Sequence, residues 1–388
     1  MGYCMSKKTV MIIGAGQVGK AAAIYLSLNP SISKIAVVDK DSSSAYVAAI
    51  NARVGASYFG FSPEVVDVQL DLNDREKAIE TIREIQPEVV LHSSSTIPSS
   101  FCNPLIQRKM KEIEFQNYCP AHNLAKDFFP LYKLMDAAKK SGLRIKVVNV
   151  STPDNTHPAL AKIGLSPTVG AGNMDIVAEG MRKIISDKLN IPLQKISMIL
   201  IGHYALYYWM PPQKIPYWFG KKMSKFLPFY MRIKANGKDL TKKFNGENLI
   251  RSANDMAFSS PGYHTQMAAA SAVRQILSIV NDEGKIVNGS GVSGIPGSVP
   301  TRLDAGGAEI ALPKDITLGE VMKINEAGMK WSGIEKIELD GTVVFTEEAV
   351  ELLEMALDIH RKKIKISELG ETSKELLFAY TALSEKYK

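Results

Sequence analysis

A glycine motif near the start of the chain constrains the fold more than any other feature. Gly14, Gly16 and Gly19 follow the apolar run of residues 10–13, which predicts a buried strand, and they precede an alanine-rich helical pattern. In such a motif the first glycine permits a tight turn, the second lets the backbone approach a pyrophosphate, and the third lets helix and strand pack closely. N–H groups at the start of a helix bind phosphate. The motif therefore predicts a dinucleotide-binding loop.

An acidic residue follows at the spacing that this motif requires. A second apolar run, residues 35–38, leads into Asp39, which lies twenty residues beyond Gly19. A carboxylate at this position accepts hydrogen bonds from a ribose diol and repels the 2′-phosphate of NADP. We therefore expect NAD as the cofactor in preference to NADP, with Gln17 and Val18 completing the phosphate loop.

The composition is that of an ordinary globular protein. Of 388 residues, 45% are hydrophobic and 22% are charged, which is enough for two domains and a large core. The net charge is +7, but basic and acidic residues are mixed along most of the chain, so no nucleic-acid partner is indicated. Three cysteines in a chain of this length indicate a reducing compartment, and we expect a cytoplasmic protein. The sequence has no apolar stretch of transmembrane length and no metal-ligand spacing, so neither a membrane partner nor a metal is expected.

Strand-like and helical patterns alternate up to about residue 155, which predicts a parallel sheet covered by helices. We assign residues 1–155 to a Rossmann domain and residues 156–388 to a catalytic domain. A helical pattern at about residues 121–140 is expected to break near Pro130. Another helix is expected to begin at Asn73 or Asp74 as its N-cap.

Two polar loops follow buried strands of this predicted sheet. Ser93 and Ser94 come after one strand, and Asn149 and Ser151 lie at the end of the next. Because ligands bind at the carboxyl ends of the strands in open α/β sheets, we expect these side chains to contact the nicotinamide end of the cofactor. The alternative is that they only form turns and caps.

An aromatic and basic segment, at about residues 205–262, distinguishes the second half of the chain. It interleaves tyrosine, tryptophan and phenylalanine with lysine, and the pair Asn236-Gly237 predicts a hairpin turn. Such a segment suits a lid over a bulky substrate, an oligomer interface, a membrane-surface patch or a platform for single-stranded nucleic acid. Its position directly after the predicted catalytic loop favours the lid or the interface.

Several stretches, taken in order, resemble the lactate/malate dehydrogenase superfamily. The glycine motif with Asp39 matches its cofactor motif, and residues 148–153 resemble its strand that ends in an Asn-Pro loop. Residues 172–175 resemble the turn before its catalytic helix, residues 199–204 its histidine loop, and residues 267–287 a helix and strand of its substrate domain. The resemblance implies a doubly wound Rossmann sheet followed by an α+β catalytic domain. It also implies NAD-dependent hydride exchange with a small-molecule substrate, and a homodimer or homotetramer.

The positions that carry the superfamily's chemistry differ in this chain. Asp175 matches the aspartate that orients the catalytic histidine, but Ala178 stands where the substrate-binding arginine belongs. His203 takes the place of the loop glutamate and Tyr204 that of the histidine, while Thr152 replaces the asparagine of the Asn-Pro loop. We therefore expect a substrate other than malate or lactate.

Hydride exchange at a carbon that bears oxygen also needs a group that moves a proton. Histidine suits this role near neutral pH, so we expect His203 to be the acid or base, Asp175 to orient it, and Tyr204 to be the alternative acid. The competing interpretation of His203 is a buried histidine that is hydrogen-bonded at a strand end.

Three further residues are candidates for substrate binding. Arg182 lies one turn beyond Ala178 on the same helix face, and it could clamp an anion, as could Arg302. His264 precedes the small-residue helix of the second half and could face the same cleft. Surface ion pairing is the alternative for both arginines.

Two weaker resemblances leave alternatives open. Asp71-Leu72 and residues 86–92 resemble extended short-chain dehydrogenases, in which the acidic-Leu pair contacts adenine, so Asp71 is a further cofactor candidate. The two-domain plan is also similar to NAD-dependent glycosidases, although Gly172 stands where these carry a thiolate ligand. The alternatives to a dehydrogenase are thus a non-catalytic NAD-binding sensor or scaffold, and an NAD-dependent lyase or glycosidase that uses transient oxidation.

Overall fold

A nine-stranded sheet forms the centre of the protein in the computed structural model, which describes residues 8–113, 120–208, 217–218, 221–222, 227–258 and 263–388. The first six strands are parallel and alternate with helices. The elements of this half are β1 (Thr9–Ile13), α1 (Gln17–Ser27), β2 (Lys34–Asp39), α2 (Ser42–Ser57), β3 (Glu64–Gln69), α3 (Arg75–Ile85), β4 (Val89–His92), α4 (Ser99–Glu112), α5 (Leu124–Ser141), β5 (Lys146–Asn149), α6 (Pro153–Lys162) and β6 (Val169–Gly170).

The second half adds antiparallel strands to the same sheet and forms smaller sheets beside it. Its elements are α7 (Met174–Leu189), β7 (Ile196–Ile201), β8 (Tyr217–Trp218), β9 (Lys221–Lys222), β10 (Tyr230–Ala235), β11 (Lys238–Asp239), α8 (Gly246–Phe258), α9 (Tyr263–Val280), β12 (Lys285–Ser290), β13 (Ser298–Asp304), β14 (Gly307–Ile310), α10 (Leu318–Trp331), β15 (Ile334–Ile337), β16 (Val343–Phe345), α11 (Glu347–Leu357), β17 (Lys363–Ile364) and α12 (Leu369–Lys386).

The order of the parallel strands is β3-β2-β1-β4-β5-β6, and β12, β13 and β14 extend the sheet beyond β6. The strand order reverses between β1 and β4, so the carboxyl ends of these two strands flank the point where ligands bind in doubly wound sheets. This confirms the predicted fold class, a Rossmann sheet followed by an α+β half. The parallel part of the sheet continues past residue 155, because β6 pairs with β5.

Alternate residues of β1 pack into two different cores, as the period of two in a strand requires. Val10 and Ile12 join a cluster with α1, α2 and α9 on one face of the sheet. Met11 and Ile13 join a larger cluster with α3 and α5 on the other face. Both faces of the sheet are therefore covered by helices, which explains why these strands are continuous apolar runs.

The helix α5 continues through Pro130, contrary to the expected break. A proline in a helix removes the N–H that would bind the carbonyl four residues earlier, here that of Lys126. This carbonyl accepts hydrogen bonds from Thr96 N at 2.9 Å and Thr96 Oγ1 at 3.2 Å. Because the loop after β4 replaces the missing donor, the proline is accommodated and ties this loop to α5.

The predicted hairpin at Asn236-Gly237 is confirmed. Both residues have positive φ, +50° and +77°, as a type I′ turn requires, and they connect the antiparallel strands β10 and β11. Much of the aromatic and basic segment (residues 209–216, 219–220, 223–226 and 259–262) lies outside the described residues, and its role as lid or interface stays a prediction. In the described part of the chain, no helix is long and apolar enough to cross a membrane.

The close approach of α1 to β1 and β4 depends on Gly19. A Cβ at this position would overlap the carbonyl oxygen of Gly14 and lie 3.1 Å from Ser93 Oγ. At Gly55, in the last turn of α2, a Cβ would meet no described atom within 4 Å.

The same substitution in these two helices is therefore expected to have opposite effects. Gly19→Ala should lower the free energy of unfolding by about 3 kcal/mol, because α1 must shift away from β1. Gly55→Ala should raise it by about 0.5–1 kcal/mol, since alanine is the better helix former. Urea unfolding of both variants tests this, and equal effects would contradict the packing described here.

Candidate functional site

The glycine loop after β1 forms an open cradle at the point where the strand order reverses. Gly14 has a φ of +101°, and a Cβ there would lie 2.8 Å from Ser94 N, so the loop packs against the loop after β4. Gly16 is the N-cap of α1 and contributes no side-chain cap, and a Cβ at Gly16 would meet no described atom within 4 Å. The N-terminus of α1 is therefore exposed and can receive an anion.

Asp39 is fixed at the rim of this cradle. Its Oδ2 accepts a hydrogen bond from Ala15 N at 2.7 Å, and its Oδ1 accepts one from Asp41 N at 3.0 Å. Asp71 lies just beyond β3, the neighbour of β2, where its Oδ1 accepts a hydrogen bond from Asn73 N at 2.9 Å. The open helix terminus and the carboxylate at the end of β2 fit the pyrophosphate and one ribose of a dinucleotide.

The amide of Asn149 joins the loops that follow β4 and β5. Its Oδ1 lies 2.8 Å from His92 Nδ1 and accepts a hydrogen bond from Ser151 N at 2.9 Å. Its Nδ2 donates to Ser151 O at 3.1 Å and lies 3.0 Å from His157 Nε2. Ser94 Oγ continues this chain at 2.9 Å from His92 Nε2, and Ser151 Oγ donates to Ser94 O at 3.1 Å. The structure thus brings together Ser94, Asn149 and Ser151, as expected from their positions after the strands.

Both histidines in this buried chain are neutral at physiological pH. Burial lowers the pKa of His92 to about 4 and that of His157 to about 3. The hydrogen bonds assign the tautomer of His92, because Nδ1–H donates to the Asn149 oxygen and Nε2 accepts from Ser94. A neutral polar network therefore crosses the carboxyl edge of the sheet. The sequence indicated Ser94, Asn149 and Ser151 as residues of this edge, but not the two histidines.

His203 is a buried residue that is hydrogen-bonded at a strand end, rather than an accessible acid or base. It is 1% exposed, its Nε2 lies 3.0 Å from Asn155 Oδ1, and its Nδ1 accepts a hydrogen bond from Ala205 N at 3.2 Å. A Cβ on Gly328 would overlap the His203 side chain, so α10 covers it closely. Burial lowers the pKa of His203 to about 3. Both ring nitrogens thus have partners within the protein, which matches the competing interpretation of this residue, and its catalytic role stays a prediction.

Tyr204 is held by the same turn of α6. Its hydroxyl accepts a hydrogen bond from Asn155 Nδ2 at 3.1 Å, and its N–H donates to Asp154 Oδ2 at 2.7 Å. Asp154 is fully buried, and burial raises its pKa to about 6. Sequence analysis did not single out Asp154 and Asn155, although they directly follow the Thr152-Pro153 loop. These contacts fasten the end of β7 to α6.

Asp175 does not orient His203, contrary to expectation. Its carboxylate binds Arg274 of α9 instead, with Oδ1 2.5 Å from Nη2, and its Oδ2 accepts a hydrogen bond from Ser271 Oγ at 2.6 Å. Arg274 also pairs with Glu179 at 3.0 Å. An arginine from α9 thus supplies the cation beside Asp175 that position 178 lacks, and the pairing joins α7 to α9.

Arg182 is not available as an anion clamp. Its Nε and Nη2 donate to the carbonyls of Ile196 and Leu193 at 2.9 and 2.7 Å, and its Nη1 pairs with Glu179 at 2.7 Å. This guanidinium fastens α7 to the start of β7. Arg302 is exposed on β13, where its Nη1 donates to the carbonyl of Gly284 at 3.2 Å.

His264 lies near the glycine loop. It is in the first turn of α9, next to Thr265, whose Oγ1 is 3.4 Å from Gln17 Oε1. Burial lowers the pKa of His264. Of the predicted substrate residues, His264 is thus the one that lies next to the candidate cofactor site, because the adjacent Thr265 contacts Gln17 of the glycine loop.

A buried ion pair that the sequence did not indicate lies beneath the loop after β4. Lys126 and Asp127 are 3% and 8% exposed, with Nζ 2.8 Å from Oδ1. Lys126 Nζ also donates to Ser95 Oγ and Ser99 Oγ, each at 3.3 Å, and Asp127 Oδ2 accepts a hydrogen bond from Thr152 Oγ1 at 2.6 Å. Thr152 has a φ of +48°, a strained conformation for a β-branched residue.

In the part of the chain that the structure describes, no group of three or more His, Cys, Asp or Glu is arranged to hold a metal ion.

Comparison with known proteins supports the fold. A scan against protein-family models gives no match, and a search of curated proteins gives none either. Among solved structures, malate dehydrogenase from Picrophilus torridus is similar at a TM-score of 0.55 and 15% identity, over 97% of this chain and 99% of that one.

Two structures from Cryptosporidium parvum show the same likeness. Its malate dehydrogenase has a TM-score of 0.59 and 14% identity, over 84% of this chain and 98% of its own. Its lactate dehydrogenase, in complex with lactic acid and nicotinamide adenine dinucleotide, has a TM-score of 0.58 and 16% identity, over 96% and 98%. The chain therefore has the fold of malate and lactate dehydrogenases.

Four buried titratable groups give the protein a predictable acid response. Because the pKa values of His92, His157 and His203 lie well below 6.5, the unfolded chain binds three more protons than the folded chain at about pH 5. Asp154 acts in the opposite direction, since its pKa is raised and the folded chain holds its proton up to about pH 6. The net excess of about two protons means that the free energy of unfolding falls by roughly 2–3 kcal/mol per pH unit below about pH 6.

Replacement of one histidine should reduce this dependence. In His203→Gln the slope between about pH 4.5 and 6 should be smaller by about 1.4 kcal/mol per unit, because one proton is removed from the difference. Urea unfolding across this range measures the slope. An unchanged slope in His203→Gln would mean that His203 titrates normally in the folded protein.

Proposed function

We propose that this chain, which has the fold of malate and lactate dehydrogenases, is an NAD-dependent oxidoreductase that exchanges a hydride with a secondary alcohol or a carbonyl compound. The observation that carries the proposal is the cradle itself. The glycine loop, the uncapped N-terminus of α1 and the fixed carboxylate of Asp39 lie together where the strand order reverses.

Different residues of the cradle would bind different parts of the dinucleotide. The N–H groups of Gln17 and Val18, in the first turn of α1, would face the pyrophosphate, and Asp39 would accept hydrogen bonds from the adenosine ribose. Since a dinucleotide spans both halves of such a sheet, its other end would lie on the loops after β4 and β5, near Ser94 and Ser151. NAD, when bound, accepts or supplies the hydride.

We further propose that the substrate is not a short 2-oxo acid held by an arginine of α7. Position 178 is alanine, and Arg182 has its donors engaged with two backbone carbonyls and Glu179. Arg274 is paired with Asp175 and Glu179. A carbonyl compound that does not depend on such a carboxylate clamp therefore suits the site better.

A non-catalytic NAD-binding sensor or scaffold is the second candidate. The burial of His203 and Tyr204, whose polar atoms are bound within the protein, favours it. The two candidates differ in turnover, since only the enzyme oxidises NADH in the presence of a carbonyl compound. A panel of ketones, aldehydes and 2-oxo acids, followed by NADH absorbance, separates them.

The cofactor proposal predicts the effect of neutralising Asp39. The wild-type protein should bind NAD⁺ at least about tenfold more tightly than NADP⁺, because the carboxylate repels a 2′-phosphate. Asp39→Asn should weaken NAD⁺ binding about tenfold and reduce the preference for NAD⁺ over NADP⁺. The loop should keep its structure, because the amide oxygen of asparagine can still accept the hydrogen bond from Ala15 N. Titration calorimetry measures both affinities, and Asp67→Asn on β3 is the control. Equal binding of both nucleotides to the wild-type protein would contradict the role of Asp39.

A further inference from the structure

The ion pair of Lys126 and Asp127 is exceptional within the protein. Across the residues that the structure describes, Lys126 is the only lysine or arginine that is fully buried. A buried ion pair is weak evidence for stability, because well-packed hydrophobic residues of similar volume are often as stabilising or more so. The pair therefore requires an explanation other than packing.

The pair lies close to the cradle, on the side where the far end of the dinucleotide would bind. Ser94 touches the glycine loop through its backbone, and the next side chain, Ser95, contacts Lys126 Nζ. With consecutive Cα atoms 3.8 Å apart and Ser95 Oγ 3.3 Å from Nζ, Nζ lies within roughly 14 Å of Gly14. On the other strand, Ser151 contacts Ser94, and the next residue, Thr152, contacts Asp127. The ion pair therefore contacts both the loop after β4 and the loop after β5.

Of the two hydroxyls that Lys126 contacts, only Ser99 is suited to pass a proton outward. Ser95 Oγ donates to the carbonyl of Ile97 at 2.9 Å, so its proton is already engaged. Ser99 is exposed in the first turn of α4, and its Oγ accepts from Lys126 Nζ. Because this contact uses a lone pair of the Ser99 oxygen, the proton of the exposed hydroxyl stays available to an acceptor outside the protein.

We propose that Ser99 is the proton donor of the reaction and that Lys126 and Asp127 are its positioning and proton-holding pair; this rests on the proposed function. In the direction of reduction, the carbonyl carbon takes the hydride that bound NADH supplies, and the π electrons of the C=O bond move to oxygen. That oxygen takes the proton of Ser99, and Ser99 takes one from the Lys126 ammonium. Lys126 is left as the neutral amine and, because its Nζ is buried, regains a proton from solvent through the exposed Ser99 hydroxyl. Oxidation of the alcohol follows the same steps in reverse.

Asp127 and Thr152 hold the ammonium group in place. Asp127 uses one oxygen for Lys126 and the other for the Thr152 hydroxyl, so both ends of the carboxylate are fixed. The left-handed conformation of Thr152 directs its side chain toward α5. Strain of this kind persists only where surrounding contacts support it, and it is concentrated at functional sites.

The charge of the nicotinamide ring provides a test that needs no substrate. NAD⁺ carries a positive charge on this ring and NADH does not, so a nearby cation disfavours NAD⁺ relative to NADH. Lys126→Met leaves Asp127 alone and should lower the ratio Kd(NAD⁺)/Kd(NADH) at least about fivefold. Asp127→Asn leaves Lys126 alone and should raise the same ratio at least about fivefold. A purely structural role would change both affinities alike, and calorimetric titration with each nucleotide measures the ratio.

Two further sets of variants control for folding and for general charge effects. Lys126→Met/Asp127→Leu removes both charges and should return the ratio to the wild-type value, with an intact thermal transition. Lys140→Met and Asp136→Asn remove the members of a partly exposed pair toward the other end of α5, where Asp136 also binds Arg75, and should leave the ratio unchanged. If both nucleotides bind and neither single variant moves the ratio, this inference is overturned while the proposed function stands. If the wild-type protein binds neither nucleotide, the proposed function fails, and this inference with it.

Ser99 is tested by its own substitution. Ser99→Ala should lower the turnover of NADH with a carbonyl substrate about a hundredfold or more, with an unchanged Kd for NADH. Ser100→Ala, at the exposed neighbouring serine, should turn over at the wild-type rate. A wild-type rate in Ser99→Ala would remove Ser99 from the reaction.

Discussion

The four hydrogen bonds of the Asn149 amide fix the carboxyl edge of the sheet at β4 and β5, and the relative position of the two loops that follow these strands depends on them. The amide uses both of its acceptor sites and both of its donors, toward the two histidines and the backbone of Ser151. An amide whose donors and acceptors are all satisfied in a low dielectric is held rigidly, whereas a partly satisfied one is costly. The loops after β4 and β5 therefore have one relative position, which places Ser94 against the glycine loop and Thr152 against α5.

The same burial that makes this network rigid also removes its charge. His92 and His157 remain neutral because burial disfavours the charged imidazolium, and the same holds for His203. Lys126 differs because Asp127 lies beside it. The region beneath the two loops thus holds one cation and one anion in a surrounding of neutral dipoles, and a change in either charge is not masked by neighbouring side chains.

Sequence patterns were sufficient where the physical cause is local. The glycine loop, β1 to β2 and the turn at Asn236-Gly237 each follow from residues within a few positions of one another, and each lies where it was expected. The helix α4 was missed, because its buried residues are only Cys102, Ile106 and Met110 and it contains a proline. The helix α10 and the strands β15 to β17 were missed as well, since their apolar patterns are short.

The pairings within the site could not be derived from the sequence, because they join distant segments. Asp175 meets Arg274 across 99 positions and His203 meets Asn155 across 48. A single sequence does not show which residues of two distant segments contact each other. The prediction that Asp175 lies beside His203 therefore came from the family resemblance alone. The substitution at position 178 was visible, but the pairing of Asp175 with an arginine from α9 depends on how α7 and α9 pack.

Pro130 illustrates how a local irregularity acquires a role only in three dimensions. From the sequence it indicates a break, since it deprives the Lys126 carbonyl of its helical donor. In the fold, this carbonyl accepts a hydrogen bond from Thr96 N in the loop after β4, while the ammonium group of the same lysine donates to Ser95 Oγ and Ser99 Oγ. The loop is thus bound to both the backbone and the ammonium group of Lys126. Displacing the loop after β4 would leave both the carbonyl and the ammonium group of Lys126 without these partners. The loop that faces the cofactor cradle and the charge beneath it are therefore expected to move together.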